Sequence, residues 1–412
     1  MAYLLFILYL FLNVVAAHRW DGDPVISPDP VVALLALFFA FLSSERPRDI
    51  PGINVQIFFA ILFFGWFYMS SVVNESSVRA LEYTSKGFLL YIIASFAIVN
   101  VKQFKIVMLA FVPMALVIAV NGILTIDYDS GFVPLELSWG YRLNWINTYD
   151  DSNSTAMFLN IAITVLFVHI LESKAMVSRL ISIVPMIILG YAVKLTDSRA
   201  GLLEMLVSII VILYLKFGIK KTMLYASPIM IAVLSVFAGR MMEINTDDSS
   251  AQNRMVFWSR AFEYLWDQPI LGLGYTGLAN TLGMQGHNTF VEIYTESGLP
   301  GYVFFMGMYY IAAKGLFSTL GELKKNEQLA ELAPILYIIS GVTAAILVGA
   351  WFNTIYHELI YIWLGIWTAV YRLAYKITPN VGIEFGKQDF IRLIMVSMGV
   401  MVLIRVFIHF YI

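Results

Sequence analysis

The chain has 412 residues, 60 % of them hydrophobic and 13 % charged, with a mean hydropathy of +0.78; a soluble domain is roughly 45–50 % apolar, so this excess cannot be hidden inside one globule. A formal net charge of −2 argues against a nucleic-acid partner, because binding a phosphate backbone needs a basic face. With no cysteine, disulfides, thiolate nucleophiles and cysteine-ligated metals are excluded, and the redox compartment stays open.

The apolar residues arrive in blocks about as long as a bilayer crossing, roughly 17–25 residues each, separated by short segments that hold nearly all the charge. In chain order the blocks predict helices near 2–17, 25–42, 54–73, 88–101, 106–123, 155–172, 180–196, 201–217, 222–241, 289–317, 334–351, 358–375 and 391–411. Met1 to Ala17 is apolar without a basic leader, and Ala16-Ala17-His18 matches a small-residue cleavage site poorly, so a retained first span is expected. The blocks at 25–42 and 88–101 are short or merge with their neighbours, which sets the expected count at about 12 to 14 spans. Trp20, Trp139, Tyr141, Trp258, Trp351 and Tyr371 fall at block ends, as interfacial aromatic belts do. Alternating strands of about ten residues, the mark of a β-barrel, are lacking. No linker, repeat or low-complexity tract divides the chain. The expected fold class is all-α: a polytopic transmembrane helix bundle forming one domain over 1–412, with long loops at 124–154 and 242–288.

Orientation follows from lysine and arginine, because short basic loops resist translocation. Arg46, Arg48, Lys102, Lys105, Lys174, Arg179, Lys216, Lys220, Lys221, Lys324, Lys325, Arg372, Lys376 and Lys387 share one set of loops, expected to be cytoplasmic. The two long loops carry Asp127, Asp129, Glu136, Asp150, Asp151, Glu243, Asp247 and Asp248 and are expected outside. The segment 75–87 has both signs and assigns itself to neither set.

Several groups on the expected outer side are not explained by loop solubility. Residues 252–265, from Gln252 to Leu265, have apolar residues at helical spacing and carry Arg254 and Arg260; they predict an amphipathic helix at the membrane surface, with a solvated loop helix as the alternative. The following Pro269-Ile270-Leu271-Gly272-Leu273-Gly274-Tyr275-Thr276-Gly277 imitates a dinucleotide fingerprint, but no strand precedes it to place the glycines. Next comes Gly286-His287-Asn288-Thr289 at the head of a long apolar helix. Asn288, Glu292 and Glu296 are four residues apart and make one polar stripe on it; carboxylates inside a span usually face a cavity or a partner. At a helix N-terminus the macrodipole disfavours imidazolium, so His287 is expected neutral and able to accept a proton; a plain capping histidine is the alternative. Arg199, in Thr196-Asp197-Ser198-Arg199-Ala200-Gly201, and Arg142, in Gly140-Tyr141-Arg142-Leu143-Asn144, also fall on the outer side. An arginine translocated against the charge bias suits an anion, and its planar fork fits phosphate oxygens; pairing of Arg199 with Asp197 is the simpler alternative.

At these residues the chain resembles the O-antigen ligase and polymerase superfamily, polytopic glycosyltransferases that use polyprenyl-diphosphate-linked glycans. His287-Asn288, nine residues, Gly298, two residues and Gly301 follow that family's histidine motif. Arg199 with Leu203 matches its arginine–leucine pair, and Asn253-Arg254, Trp258 and Pro269 to Gly274 look like the segment upstream of the histidine. Arg142-Leu143 and Asn153-Ser154-Thr155-Ala156 look like the segment before its middle helices. The resemblance covers roughly residues 135 to 370; order, spacing and common sidedness carry it.

The resemblance implies a GT-C-like membrane enzyme at the cell inner membrane with its active site facing the periplasm. His287, Arg199 and Arg254 would be catalytic, with Arg142, Asn288, Glu292 and Arg260 binding substrate. The donor would be a polyprenyl-diphosphate-linked glycan and the acceptor lipid A core or another lipid-linked glycan, among membrane lipids. No metal or other cofactor would be required. The Asp127-Tyr128-Asp129 run resembles the Asp-x-Asp of metal-dependent, nucleotide-sugar enzymes, whose donors are absent outside the cytoplasm. The loop before His287 is short for a ligase, and the block at 391–411 is an extra span, so ligase and polymerase both stay open. A transporter would also explain many spans with buried charge, but internal repeats and broken helices are not evident in the sequence.

Overall fold

A computed structural model describes residues 1–15, 28–42, 50–125, 142–144, 151–236, 249–283, 285–354 and 358–411. Trp20, Arg46, Arg48, Asp127, Asp129, Glu136, Trp139, Tyr141, Asp150, Glu243, Asp247 and Asp248 of the sequence reading lie outside these residues. Among the described residues there is no strand. In chain order the helices are α1 (Ala2–Leu10, continued by a π-helical turn Phe11–Val15), α2 (Asp29–Leu42), α3 (Ile53–Val73), α4 (Ser77–Ala97) and α5 (Val101–Thr125). Then come α6 (Ser152–Glu172), α7 (Met176–Leu195), α8 (Arg199–Phe217), α9 (Ile219–Val236), α10 (Ser249–Asp267) and α11 (Gly277–Leu282). The last four are α12 (Thr289–Leu323), α13 (Ala333–Phe352), α14 (Glu358–Ile377) and α15 (Lys387–Tyr411).

Eight helical stretches among the described residues are long and apolar enough to cross a membrane: Ile53–Val73, Val101–Leu124, Ser152–Glu172, Met176–Leu195, Arg199–Phe217, Thr289–Leu323, Glu327–Phe352 and Lys387–Phe410. Ala2–Val15 and Asp29–Leu42 are apolar but shorter. The protein is therefore a polytopic all-α membrane protein. Each predicted block is helical over most of its described residues, yet among these fewer stretches reach spanning length and hydropathy than the about 12 to 14 expected from apolar runs alone. In α4 the cause is visible: Arg79, Glu82 and Lys86 occupy its N-terminal half. This half corrects the reading of 75–87 as a loop and of 88–101 as a separate short span. Ala80, Thr84 and Gly87 are buried on one face, at the spacing a helix requires, while the charges take the other face.

A second correction concerns the block at 289–317. It is not one continuous helix, because Gly298 has φ 67° and ψ −179° and Pro300 follows. Proline lacks the amide that would bond four residues back, so the helix breaks here and resumes.

The chain divides into two compact units. One comprises Met1–Ala40, Ala97–Ile244 and Glu331–Gly349. Within it α6 packs against α5, α7 and α8, and α8 packs against α9. Lipid tails are as apolar as leucine, so burial alone drives little association here, and small residues and polar bonds decide helix contacts. Gly201 illustrates this: a Cβ on it would stand 2.4 Å from that of Ala156, so the α6 and α8 backbones touch.

The other unit comprises Phe41–Phe96, Asn245–Ala330 and Ala350–Ile412. Its centre is α12, which packs against α3, α10, α14 and α15. Phe63 of α3 joins it through Phe305 at a centroid distance of 5.3 Å and stacks on Phe67 of its own helix at 5.7 Å. Arg372, buried in α14, donates to the carbonyl of Ser95 and lies 5.2 Å over the Phe96 ring, closing the C-terminal end of α4.

Candidate functional site

In the second unit the residues around His287 are held from several directions. Asn288 caps α12: its Oδ1 accepts from the Val291 amide at 3.0 Å, and its Nδ2 donates to the Trp351 carbonyl at 3.0 Å. The amide and hydroxyl of Thr289 both donate to the Asn353 carbonyl, at 3.1 and 2.9 Å. On the other side of His287, the Gly286 amide donates to Glu292 Oε1 at 2.5 Å, and the Gly286 carbonyl accepts from Trp258 Nε1 at 2.6 Å. Thr354 Oγ1 donates to the same Glu292 oxygen at 2.6 Å.

His287 itself is half-buried and has φ 49°. A non-glycine residue in this left-handed region costs of order 1–3 kcal/mol and persists only where the surroundings over-determine it. Gly286 and Asn288, held by the four hydrogen bonds above, supply that constraint.

Arg254 belongs to the same constellation. The last carbonyls of a helix have no partner within it, and those closing α13 are taken up by side chains from elsewhere. Asn288 takes Trp351, and Arg254 Nη1 reaches the Phe352 carbonyl at 3.4 Å. The helix carrying Arg254 is the amphipathic one expected: Met255, Trp258, Ala261, Phe262 and Leu265 are buried. Arg260 is exposed.

The break at Gly298 is sealed by the segment 269–274. Leu273 and Gly274 amides donate to the Thr295 and Glu296 carbonyls at 3.0 and 2.9 Å, and the Leu299 amide donates to Pro269 at 2.9 Å. Ser70 Oγ adds a second bond to the Glu296 carbonyl, and Trp66 Nε1 donates to that of Ser297, at 2.9 and 3.0 Å. Backbones approach so closely that a Cβ on Gly298 would lie 2.2 Å from the Ile270 carbonyl, and one on Gly272 would lie 2.5 Å from that of Thr295. The glycine spacing that imitates a nucleotide fingerprint is thus a backbone joint. A broken helix, absent from the sequence reading, is present, but donors close its freed carbonyls instead of leaving them to bind an ion as transporter helices do. Beside the joint, Tyr275 stacks on Tyr83 at 4.7 Å. Burial, and then the nearby Glu296 and Glu82 carboxylates, push its hydroxyl up to about 12.

The first unit holds Arg199 and Arg142. Ser198 caps α8, accepting from the Gly201 amide at 2.9 Å, and Arg199 is the first residue of that helix. The preceding turn is strained, with Asp197 at φ 48°. Arg142 holds this turn: its Nε donates to the Thr196 carbonyl at 2.8 Å and its Nη2 to that of Asp197 at 3.2 Å. Arg142, expected to bind substrate, has those two donors engaged by backbone.

Arg254, His287, Asn288 and Glu292 therefore meet in one unit, and Arg142 meets the Arg199 turn in the other. Periodicity did not point to Thr354 or to the 351–353 carbonyls, 62 to 98 residues beyond their partners, nor to the buried carboxylate Glu204 inside an apolar run. Among the described residues no group of three or more His, Asp or Glu is arranged to hold a metal ion; Asp127 and Asp129 lie outside those residues.

Fold and geometry define a membrane-embedded helical protein with an immobilised histidine loop. Residues 184–306, less than a third of the chain, are similar to a family model described as O-antigen ligase, in support of the resemblance to the O-antigen ligase and polymerase superfamily. The matched stretch contains Arg199, Arg254, Arg260, His287, Asn288, Glu292, Gly298 and Gly301, and Arg142 lies before it. No curated protein matches the chain.

Proposed function

We propose that this chain is an O-antigen ligase that moves a glycan from polyprenyl diphosphate to a sugar hydroxyl on the periplasmic side of the inner membrane. The observation that carries the reading is His287, held in a strained backbone conformation between two anchored residues inside the family-matched stretch. Fixed orientation of this kind is what a proton acceptor needs.

In the reaction the acceptor hydroxyl gives its proton to the neutral His287 imidazole as its oxygen bonds to the anomeric carbon. The bond from that carbon to the diphosphate breaks, and polyprenyl diphosphate leaves with the electron pair. Direct displacement inverts the anomeric centre. A guanidinium suits the growing negative charge, most strongly where water is scarce; Arg199 and Arg254 take this role. Proton acceptance by a placed base contributes typically about 10²–10⁴ in rate. Neither step calls for a metal ion. Asn288 and Glu292 hold the histidine loop, and the acceptor is lipid A core.

The test is complementation of a deletion strain. His287→Ala and Arg199→Ala should leave lipopolysaccharide without attached polymer while membrane levels of the protein are normal, and full attachment with either removes that residue from the mechanism. Lipopolysaccharide cores capped by a single repeat in the deletion strain would make the protein a polymerase that joins lipid-linked repeats.

A further inference from the structure

The contact between α6 and α8 contains a carboxylate that the mechanism above does not use. Glu204 is 1 % exposed and lies within the apolar stretch Arg199–Phe217. An ionisable group in such a segment is costly and usually marks function. Its Oε2 accepts from Nδ2 of Asn160 at 3.2 Å, and the same Nδ2 donates to the Gly201 carbonyl at 2.7 Å. Gly201 stands in the first turn of α8, two residues after Arg199.

The grip on that turn is part of a ladder. Ser198, the cap of α8, donates from Oγ to Asn153 Oδ1 at 2.6 Å. Further along, the hydroxyls of Thr164 and Ser208 meet at 2.9 Å. Asn153, Asn160 and Thr164 are seven and four residues apart, so they share one face of α6, and each engages α8 at a successive level. Gly349 leaves room for the carboxylate, since a Cβ there would stand 2.6 Å from Glu204 Oε1. The ladder ends at the turn that Arg142 holds through Thr196 and Asp197.

We infer that Glu204 is a positioning residue for Arg199. By accepting an amide hydrogen of Asn160 it fixes the amide that grips Gly201, and so sets the first turn of α8 from which Arg199 projects. An apolar side chain in its place would leave a buried amide hydrogen without an acceptor, which is costly in the interior. The inference rests on the assignment of Arg199 to the donor diphosphate.

A double-mutant cycle tests it, with affinity for undecaprenyl diphosphate measured on the purified full-length protein in detergent. Glu204→Ala should weaken binding about tenfold, equivalent to about 1.4 kcal/mol. Glu204→Gln should stay within about threefold of the parent, because its amide oxygen accepts the same hydrogen. On an Arg199→Ala background, Glu204→Ala should add less than about twofold, the signature of two residues acting as one. Multiplying effects, or an unchanged affinity in Glu204→Ala, would reduce Glu204 to a helix fastener and overturn the inference while leaving the enzyme reading intact. An Arg199→Ala protein that binds like the parent would instead remove the assignment on which both rest. If Glu204→Ala does not accumulate in membranes, Asn160→Leu removes the same grip and is judged by the same criteria.

Discussion

Trp258 Nε1 donates to the carbonyl of Gly286 at 2.6 Å, which fastens the middle of the amphipathic helix α10 to the residue just before His287. The indole is 1 % exposed, so nothing in solvent can replace it. Trp258→Phe keeps most of the ring and removes only the donor. A buried carbonyl left without its partner costs about 1–3 kcal/mol, and the histidine loop should loosen. Polymer attachment is expected to fall more than about tenfold at equal protein level, measured on the same lipopolysaccharide gel. Unchanged attachment would show that the indole bond does not control the loop.

The φ of 49° at His287 separates stability from activity. Glycine adopts this conformation without strain, and asparagine does so more readily than most residues. His287→Gly and His287→Asn should therefore unfold at or above the parent's midpoint in a detergent thermal melt, while transferring no glycan. A midpoint lowered by either would mean that the imidazole stabilises the fold more than its backbone strains it.

Gly298 is expected to tolerate no side chain. A methyl group would meet the Ile270 carbonyl at 2.2 Å in a backbone with φ 67°. Gly298→Ala should destabilise the second unit by more than about 2 kcal/mol, seen as a lower melting midpoint and less protein in membranes. Gly190, with nothing near its Cβ position, serves as the control, and Gly190→Ala should be neutral.

Tyr275 makes stability depend on pH at the alkaline end. Its hydroxyl ionises near 10 when unfolded and is pushed up to about 12 in the fold, first by burial and then by Glu296. The unfolded chain therefore loses this proton first, so the contribution is complete below pH 10 and declines from there towards pH 12. The melting midpoint of the parent should fall more steeply over that interval than that of Tyr275→Phe. Parallel curves would exclude Tyr275 as the titrating group.

Arg254→Lys tests the shape of the cation. Lysine keeps the charge but lacks the planar fork, so it cannot reach the Phe352 carbonyl and present a second donor to an anion in the same way. Attachment should drop about tenfold or more, with melting little changed. Full activity would assign Arg254 to charge alone.

The spans are legible in the sequence because bilayer length imposes long apolar runs, and the amphipathic helix around Trp258 is legible from its period. The four-residue steps from Asn288 to Glu296 also point to a special helix. What they conceal is direction. The stripe reads as facing a cavity or a partner; Asn288 and Glu292 bond Trp351 and Thr354, about sixty positions further on, and no local pattern shows which partner that is. Gly298 and Pro300 are visible as helix breakers, but the apolar run outweighs them until the donors at Leu273, Gly274, Ser70 and Trp66 are known. A carboxylate such as Glu204 inside Leu202 to Ile210 looks like an isolated exception because its partner lies on another helix.

The bonds of Leu273 and Gly274 to the broken helix and the anchorage of Gly286 bracket a short stretch of chain that precedes the histidine and is fastened separately from it. Asn280, Thr281 and Gly283 within it are exposed, and both its ends are tied down by bonds to α12. Lengthening the chain there, or placing a label on it, should leave the imidazole where it is. This gives a handle for attaching probes beside the histidine loop of the intact protein.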